Sequence, residues 1–386
     1  MIDFRHDELN LKPVTCNRKP VTYNLKSTTM KTKIIIAVLL ISKLGFSQFN
    51  SAFDKEEAMN LVAICNYWIN GKIKDVDSTY IDSSYQLLYE SKLYKMENKW
   101  QLWQKGDDAM VLNMRGTTRK SISWLENFYA AMIPAEGDLL LPDSQKVHYK
   151  YAEDPRASVH VGWTMGVSFM ISDILEHIKE MNNKGIYNIY ITGHSQGGAL
   201  AHVLRAALEF FPDSMLSKKN KFKVYAFASP KPGNRFFAYD YASYTSLKNP
   251  SYTIINTSDW VPQVPFSIQS PDNMVEVNPF ASLENNDFKI PFLKRIVVKR
   301  MYKSLKNPVE KSQRRFEKKL GKKIKKQISK NIGNFETPDY VDDFAFFPLG
   351  VQVILKPWKT QSDDVVMNVF WQHLPAHYYY LIKEQL

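Results

Sequence analysis

The sequence predicts an α/β fold in which a mostly parallel sheet is flanked by helices. Short runs of β-branched and aromatic residues alternate with segments whose apolar residues recur at helical spacing. A glycine-rich turn joins one such strand, residues 187–192, to a helix that begins near residue 198. Two later strands, 223–228 and 252–257, each run into a polar loop that contains proline. Because the carboxyl ends of parallel strands meet at one edge of a sheet, polar groups are expected to gather there.

The first 47 residues are predicted to precede the folded body. Residues 1–29 are polar and without periodicity, and we interpret them as a dispensable upstream segment before a true start at Met30. Residues 30–47 predict a signal peptide, because two lysines precede eight apolar residues and small residues stand just before a cut after residue 47. A short buried helix or strand is the alternative. Export to the cell envelope, the periplasm or the medium is expected, and only Cys65 of the two cysteines lies after the cut, so no internal disulfide is expected.

Positive charge is concentrated in one segment. The whole chain carries +12, residues 289–330 carry 17 Lys and Arg against two Glu, residues 1–47 carry +5, and the remainder is acidic at −8. Apolar residues alternate with these lysines at helical spacing: Ile296, Val297, Met301 and Leu305. Three interpretations remain open, namely a solvated face, a membrane-surface helix and a patch that docks on the acidic body. Nucleic acid binding is not expected, because no base-reading motif accompanies the charge.

The elements before the glycine-rich turn are predicted in order as follows. Residues 56–69 indicate a helix, and residues 100–104 and 109–114 indicate a hairpin turned at Gly106 and Asp107. The second strand ends in residues 115–118, where a glycine and a hydroxyl residue can donate hydrogen bonds above the sheet. A plain turn is the alternative.

Two segments follow this hairpin. Residues 121–132 form an amphipathic segment, either a surface helix packed on the core or a movable cover over an apolar site. Residues 159–163 lead into a helix with one apolar face, and His160 before it has no partner visible in sequence. A lone histidine before a helix is more often structural than catalytic.

The glycine-rich turn, residues 193–197, has the pattern G-x-S-x-G of a nucleophile elbow. The serine, Ser195, would sit on a sharp turn with its hydroxyl above the sheet edge. Side chains two positions before and after it would collide with neighbouring backbone, and Gly193, Gly197 and Gly198 remove them. The backbone N–H of Gln196 would point to where an oxyanion forms. A glycine-rich turn with an unreactive serine is the alternative.

Asp259 and a C-terminal histidine complete the chain order Ser, Asp, His. Asp259 follows the strand 252–257, and a late strand, 351–355, precedes the histidines. Two histidines compete for the role of base, His373 and His377. Pro375 suits the first turn of a terminal helix, which leaves His373 in the loop before it, and a loop position can reach over the sheet edge. We therefore expect His373 to be the base, with His377 as the alternative.

Four landmarks together resemble the class 3 lipases of the α/β-hydrolase superfamily. They are Arg115-Gly116-Thr117, Val159-His160-Val161-Gly162-Trp163, the elbow with Gly198, and Asp259-Trp260-Val261-Pro262. The similarity covers about residues 95–265 and the C-terminal tail. It implies an α/β-hydrolase domain over residues 48–386, interrupted at about 280–335 by a basic helical insertion.

The resemblance implies a role for each matching residue. Ser195 would be the nucleophile, Asp259 the orienting acid and His373 the base, while Thr117 and the Gln196 backbone would form the oxyanion hole. The segment after Thr118 would correspond to the family's lid. Expected substrates are lipid esters, cleaved by a triacylglycerol lipase or a phospholipase A1-like enzyme without metal or organic cofactor. The basic insertion is longer than the family's usual connection, and the family's disulfides have no counterpart here.

Two alternatives to a lipase stay open. One is an esterase of small esters, since acyl preference depends on the shape of a pocket. The other is a non-catalytic protein that binds membranes or polyanions on a hydrolase scaffold. An intact order of serine, aspartate and histidine argues against the second.

Overall fold

The computed structural model describes the chain from residue 49 onward, with gaps. The described ranges are 49–69, 81–245, 248–270, 273–274, 292–357 and 369–386. The predicted upstream segment, the predicted signal peptide and the start of the basic insertion lie outside them. Within these ranges, no helix combines the length and the apolar character needed to cross a membrane.

A seven-stranded mixed sheet forms the centre of the fold. In chain order the strands are β1 (Tyr85–Glu90), β2 (Trp100–Lys105), β3 (Ala109–Met114), β4 (Met132–Pro134), β5 (Glu136–Leu140), β6 (Lys146–Lys150), β7 (Ser158–His160), β8 (Asn188–His194), β9 (Lys221–Phe227), β10 (Gly233–Asn234), β11 (Ser251–Asn256), β12 (Phe346–Phe347) and β13 (Val351–Leu355). The spatial order of the central sheet is β1-β2-β3-β8-β9-β11-β13. The strands β1 to β3 are antiparallel neighbours, and β3, β8, β9, β11 and β13 run parallel. The predicted mostly parallel sheet is confirmed.

Helices connect and cover these strands. They are α1 (Lys55–Asn66), α2 (Ser121–Phe128), α3 (Val161–Asn183), α4 (Gln196–Glu209), α5 (Arg235–Tyr244), α6 (Phe292–Phe316), α7 (Ile324–Ile332) and α8 (Pro375–Gln385). Capping side chains fix where several helices begin. At the start of α1, for example, Asp54 Oδ1 accepts the N–H of Glu57 at 2.9 Å. The helix predicted over 121–132 is shorter than expected, because the chain leaves it after Phe128 and enters β4.

The two faces of the sheet are covered by different helices. On one face, α1 and α8 pack over Ala109 and Val111 of β3, whereas α3 and α4 pack over Met110 and Leu112 on the other. Successive side chains of a strand point to opposite faces, so a strand covered on both sides is apolar at most positions. Full burial of one such aliphatic side chain contributes about 1.5–3 kcal/mol. The sheet and its carboxyl edge are therefore a rigid platform.

The basic insertion is helical, as predicted, but its two halves differ in environment. After α6, a π-helical stretch, Glu317–Lys323, continues into α7. In α7, Ile328 and Ile332 are buried in the main core. In α6, by contrast, Val297, Met301 and Leu305 are 57%, 62% and 72% exposed. The insertion is thus anchored by α7 and presents an apolar stripe on α6 to its surroundings.

Candidate active site

Ser195 stands in a strained turn between β8 and α4. Its φ of 62° and ψ of −129° are unusual for a residue with a side chain. A Cβ atom on Gly193 would lie 2.1 Å from the carbonyl oxygen of Gly197, and one on Gly197 would lie 2.3 Å from that of Met114. These two glycines are therefore required by the close approach of strand and helix, as the sequence predicted.

A continuous series of hydrogen bonds links Ser195, His373 and Asp259. The Ser195 Oγ atom lies 2.8 Å from His373 Nε2, and His373 Nδ1 lies 2.7 Å from Asp259 Oδ2. If the carboxylate is ionised, Nδ1–H donates to it and Nε2 is left to accept the serine proton. Asp259 is buried and also accepts from Tyr378 Oη at 2.8 Å and from the N–H of Val261 at 2.9 Å. These hydrogen bonds fix the orientation of the Asp259 carboxyl group toward His373.

The fold delivers the three side chains to the same edge of the sheet. Ser195 follows β8 and Asp259 follows β11, both at the carboxyl ends of parallel strands. His373 ends a short 3₁₀ turn, and Leu374 then takes extended backbone angles before Pro375 opens α8. The structure therefore places His373 in the loop, as expected, and directs it at the serine.

His377 occupies a different place. It lies in the first turn of α8, its Nδ1 donates to the carbonyl oxygen of Trp371, and its ring packs edge-on against Trp371 at 4.2 Å. Burial lowers the pKa of His377, so its neutral form is favoured. His377 supports the turn that carries His373.

Thr117, at the carboxyl end of β3, lies beside the elbow. Its Oγ1 donates to Gln196 Oε1 at 2.9 Å and accepts from Asn127 Nδ2 at 2.8 Å. Gln196 opens α4, and the first N–H groups of a helix lack an acceptor within the helix. A hydroxyl and a backbone N–H are thus available next to Ser195 to hold a developing negative charge.

Asn127 is a site residue that the sequence did not indicate. Its Oδ1 accepts the indole N–H of Trp163 at 2.9 Å, which fixes the amide so that Nδ2 faces Thr117. His160 Nε2 donates to the backbone carbonyl of Asn127 at 3.1 Å, and burial lowers the pKa of His160 to about 3. His160 is therefore a neutral structural residue, in keeping with its sequence interpretation.

An aromatic rim adjoins the histidine. The ring of Phe370 lies 6.2 Å from that of Trp124 on α2, 5.6 Å from Trp260 and 6.1 Å from His373. Phe128, on the same helix as Trp124, is 51% exposed. Apolar surface of this kind next to a reactive centre suits an apolar ligand.

Comparison with known proteins relates part of the chain to a lipase family. The family model described as Lipase (class 3) matches residues 111–269, which span the end of β3, the elbow and the Asp259 loop. This part of the chain is therefore similar to the class 3 lipase family. The predicted resemblance and the predicted α/β-hydrolase fold are thereby confirmed for the class 3 lipase segment and the sheet that carries it.

Individual relatives match part of this chain over part of their own length. A lipase of Caenorhabditis elegans is 37% identical over 79 residues, which is 20% of this chain and 21% of the relative. A secreted mono- and diacylglycerol lipase of Gibberella zeae is 26% identical over 175 residues, or 44% of this chain and 50% of the relative. A lipase of Rhizopus oryzae is 32% identical over 111 residues, or 28% of this chain and 27% of the relative. The matches thus span half or less of each of these relatives.

Solved structures of fungal lipases are also similar to this chain. One, of a fungal lipase bound to an inhibitor, has 18% identity and a TM-score of 0.41, covering 55% of this chain and 72% of that one. Lipase II of Rhizopus niveus has 22% identity and a TM-score of 0.39, with 55% and 73% covered.

Proposed function

We propose that the protein is a serine hydrolase that cleaves carboxylic ester bonds of lipids through a Ser195-His373-Asp259 triad. The single observation that carries this proposal is the unbroken series of hydrogen bonds from the Ser195 hydroxyl through the His373 ring to the Asp259 carboxylate. The match of residues 111–269 to the class 3 lipase model supports the same reaction class. A triacylglycerol lipase or a phospholipase A1-like enzyme is the proposed identity.

The first half-reaction forms an acyl-enzyme. His373 Nε2 takes the proton of Ser195 as Oγ attacks the ester carbonyl carbon. The oxyanion accepts hydrogen bonds from the N–H of Gln196 and from the Thr117 hydroxyl, whose proton rotates away from Gln196 Oε1. Protonated His373 then gives its proton to the leaving alcohol as the carbon–oxygen bond breaks. Asp259 stays ionised and stabilises the charged ring.

The second half-reaction releases the acid. Water replaces the alcohol, His373 takes one of its protons, and the resulting hydroxide attacks the acyl carbon. The second tetrahedral intermediate collapses and returns the proton to Ser195. Every proton in the cycle passes through His373 Nε2, which explains why the ring must be held at both nitrogens.

The substrate class and the site of action follow from the surroundings of the triad. The rim formed by Trp124, Trp260 and Phe370 supports an acyl chain as the apolar part of the substrate. One relative is named a secreted lipase of mono- and diacylglycerols, which supports glycerol esters and export of this chain as well. Export would also agree with the predicted signal peptide at residues 30–47.

Two assays test the proposed function. An organophosphonate that carries an alkyl chain should label Ser195 covalently, as peptide mass spectrometry would show. A hydrolase scaffold with an unreactive serine would stay unlabelled, and that result would overturn the proposal. Hydrolysis of an emulsified glycerol ester, compared with that of a soluble short-chain ester, then separates a lipase from an esterase.

We also propose that the basic segment 289–330 attaches the enzyme to anionic lipid surfaces. Its helix α6 exposes the apolar stripe Val297, Met301 and Leu305, and exposed cationic side chains lie on the same helix. Replacing Lys294, Arg300 and Lys303 by glutamine should weaken sedimentation with vesicles rich in phosphatidylserine. Each cation near such a surface contributes about 1 kcal/mol, so the loss should be on the order of a hundredfold at low salt.

A matched variant controls for charge alone. Lys179, Lys184 and Lys218 are exposed on other parts of the body, and their replacement by glutamine should leave sedimentation close to that of the unaltered protein. Binding of the unaltered protein should fall steeply with added salt. Equal binding to neutral and anionic vesicles, or equal losses in the two variants, would contradict this role of the segment.

A further inference from the structure

Glu126 on α2 is a fully buried carboxyl group. Its Oε2 accepts a hydrogen bond from Asn98 Nδ2 at 2.7 Å, whereas Oε1 has no hydrogen-bond partner among the described residues. Burial raises the pKa of Glu126 well above its usual value, and the Asn98 and Gln196 side chains beside it offset only part of that effect. The fold therefore favours the neutral acid.

Two residues of α2 close to Glu126 hold the loop that carries Thr117. Ser123 Oγ, one turn before Glu126, accepts the backbone N–H of Thr118 at 3.1 Å. Asn127, the next residue, donates to Thr117 Oγ1 at 2.8 Å. Residues three and four apart lie on one side of a helix, so the position of Glu126 fixes how α2 presents both partners to the loop.

Space around the carboxyl group is closed by α3. A Cβ atom on Gly166 would lie 2.5 Å from Glu126 Oε1, and one on Gly162 would lie 2.1 Å from the Glu126 backbone oxygen. Both positions are glycine, so the two helices touch with little room for water at the carboxyl group. A charged carboxylate would be poorly solvated there and would favour withdrawal of α2.

We propose that Glu126 is a positioning residue which, as a neutral acid, locks α2 against the Thr117 loop and releases that loop when it loses its proton. This inference rests on the proposed function, because Thr117 matters only if an oxyanion forms beside Ser195. The residue acts through Asn127 and Ser123 and touches no reacting atom.

The charged groups on the loop before β2 and at the end of β3 are engaged elsewhere. Glu97 directly precedes Asn98, the hydrogen-bond partner of Glu126. The Glu97 carboxylate pairs with Arg115 at 3.6 Å and with Lys120 at 2.8 Å. These two cations therefore share the Glu97 carboxylate and do not act as counter-ions for Glu126.

The described residues of the remaining elements around α2 also form no ion pair with Glu126. At the start of α3 stands His160, which is neutral because burial lowers its pKa to about 3. From α4 comes the uncharged Gln196, and on α7 the Lys325 ammonium donates to Thr337 at 3.4 Å. Loss of the Glu126 proton is therefore opposed by burial and is favoured by no ion pair within the described part of the chain.

The kinetic test compares Glu126→Gln with Glu126→Ala. Glutamine keeps the shape and the lack of charge of the neutral acid. The kcat of Glu126→Gln should therefore stay within a few fold of that of the unaltered enzyme at neutral pH. At alkaline pH the kcat of Glu126→Gln should persist, whereas the kcat of the unaltered enzyme should fall. Glu126→Ala removes the side chain that holds α2 and should lower kcat by about tenfold with little change in KM. This loss is smaller than the hundredfold or more expected when an oxyanion donor is removed. The acidic limb of the pH profile should be the same in all three proteins, because the catalytic base is unchanged in each. Superimposable alkaline limbs for the glutamine variant and the unaltered enzyme would overturn the proposal.

Thermal unfolding supplies a second readout that does not need hydrolysis. The pKa of Glu126 is raised in the fold and ordinary in the unfolded chain, so this group lowers the stability of the fold as pH rises from the unfolded value through the folded one. Glutamine does not titrate, so the Tm of Glu126→Gln minus that of the unaltered protein should grow between pH 4 and pH 8. The exposed Glu180 on α3 provides the control, since Glu180→Gln should show a nearly constant difference. A constant or shrinking difference for Glu126→Gln would overturn the proposal even if Glu126→Ala fails to fold.

Organophosphonate labelling of the unaltered protein separates the two proposals. If Ser195 is labelled and the pH profiles of the unaltered enzyme and Glu126→Gln coincide, the triad stands and the positioning role of Glu126 is refuted. If Ser195 is not labelled, the proposed function fails, and the unfolding series still reports whether Glu126 is held neutral.

Discussion

Replacing Ser195 by alanine is expected to abolish ester hydrolysis while the protein remains folded. The variant keeps a Cβ atom at the same strained φ of 62°, so the turn is neither relieved nor further strained. It loses the only atom that could bond covalently to the acyl group in the proposed reaction. Loss of a nucleophile in a triad of this kind costs on the order of 10⁶ in kcat.

Steady-state hydrolysis of a soluble ester and of an emulsified ester measures this loss, and circular dichroism with thermal unfolding checks the fold. Ser214→Ala, at an exposed position after α4, is the matched control and should hydrolyse both esters as the unaltered protein does. A Ser195→Ala protein that retained even a tenth of the activity would assign the nucleophile to another residue.

The elbow could be predicted from sequence because its constraints are local. Within residues 193–198, the contacts that exclude side chains are made by the strand and helix on either side of the serine, so the glycine spacing records them directly. The position of His373 was also predictable, since Pro375 fixes the start of α8 and Leu374 must be extended before it. Local stereochemistry was sufficient in both places.

Long-range partners could not be predicted in the same way. Asn127, Tyr378 and Glu126 carry no motif, and each forms a hydrogen bond with a residue that the fold brings from another part of the chain, such as Asn98 for Glu126. The helix α2 illustrates the limit. The sequence left open whether this amphipathic segment packs on the core or covers an apolar site. In the structure its fully buried residues are the polar Ser123 and Glu126, while Phe128 is half exposed.

In the basic insertion, the sequence pattern predicted the helices but not which of their apolar side chains are buried. Its helical spacing was evident, but the apolar residues noted in sequence, from Ile296 to Leu305, are largely those of α6 that remain exposed. The anchor is instead the set of isoleucines on α7, spaced four residues apart among lysines. The high average charge of the segment gives no sign of these isoleucines in the sequence. Full burial of an aliphatic side chain such as that of Ile328 stabilises the fold by about 1.5–3 kcal/mol.

The choice between the two C-terminal histidines gives the second large prediction. His373→Ala should remove nearly all hydrolysis, because His373 Nε2 lies 2.8 Å from Ser195 Oγ and its Nδ1 contacts the buried carboxylate of Asp259. The alanine variant leaves the serine without a base and Asp259 without its histidine partner. The expected loss in kcat approaches that of Ser195→Ala, since members of such a triad act as a unit.

His377→Ala should lose about tenfold or less, equivalent to about 1.4 kcal/mol of barrier. Its ring bonds to the Trp371 carbonyl and so braces the turn that ends at His373, but Tyr378 and Pro375 hold that turn as well. Parallel measurements of kcat/KM for the two variants on one soluble ester decide the matter, and His148→Ala at an exposed strand position serves as the control. The reverse ranking would assign the base to His377 and would require the first turn of α8 to unwind when substrate binds.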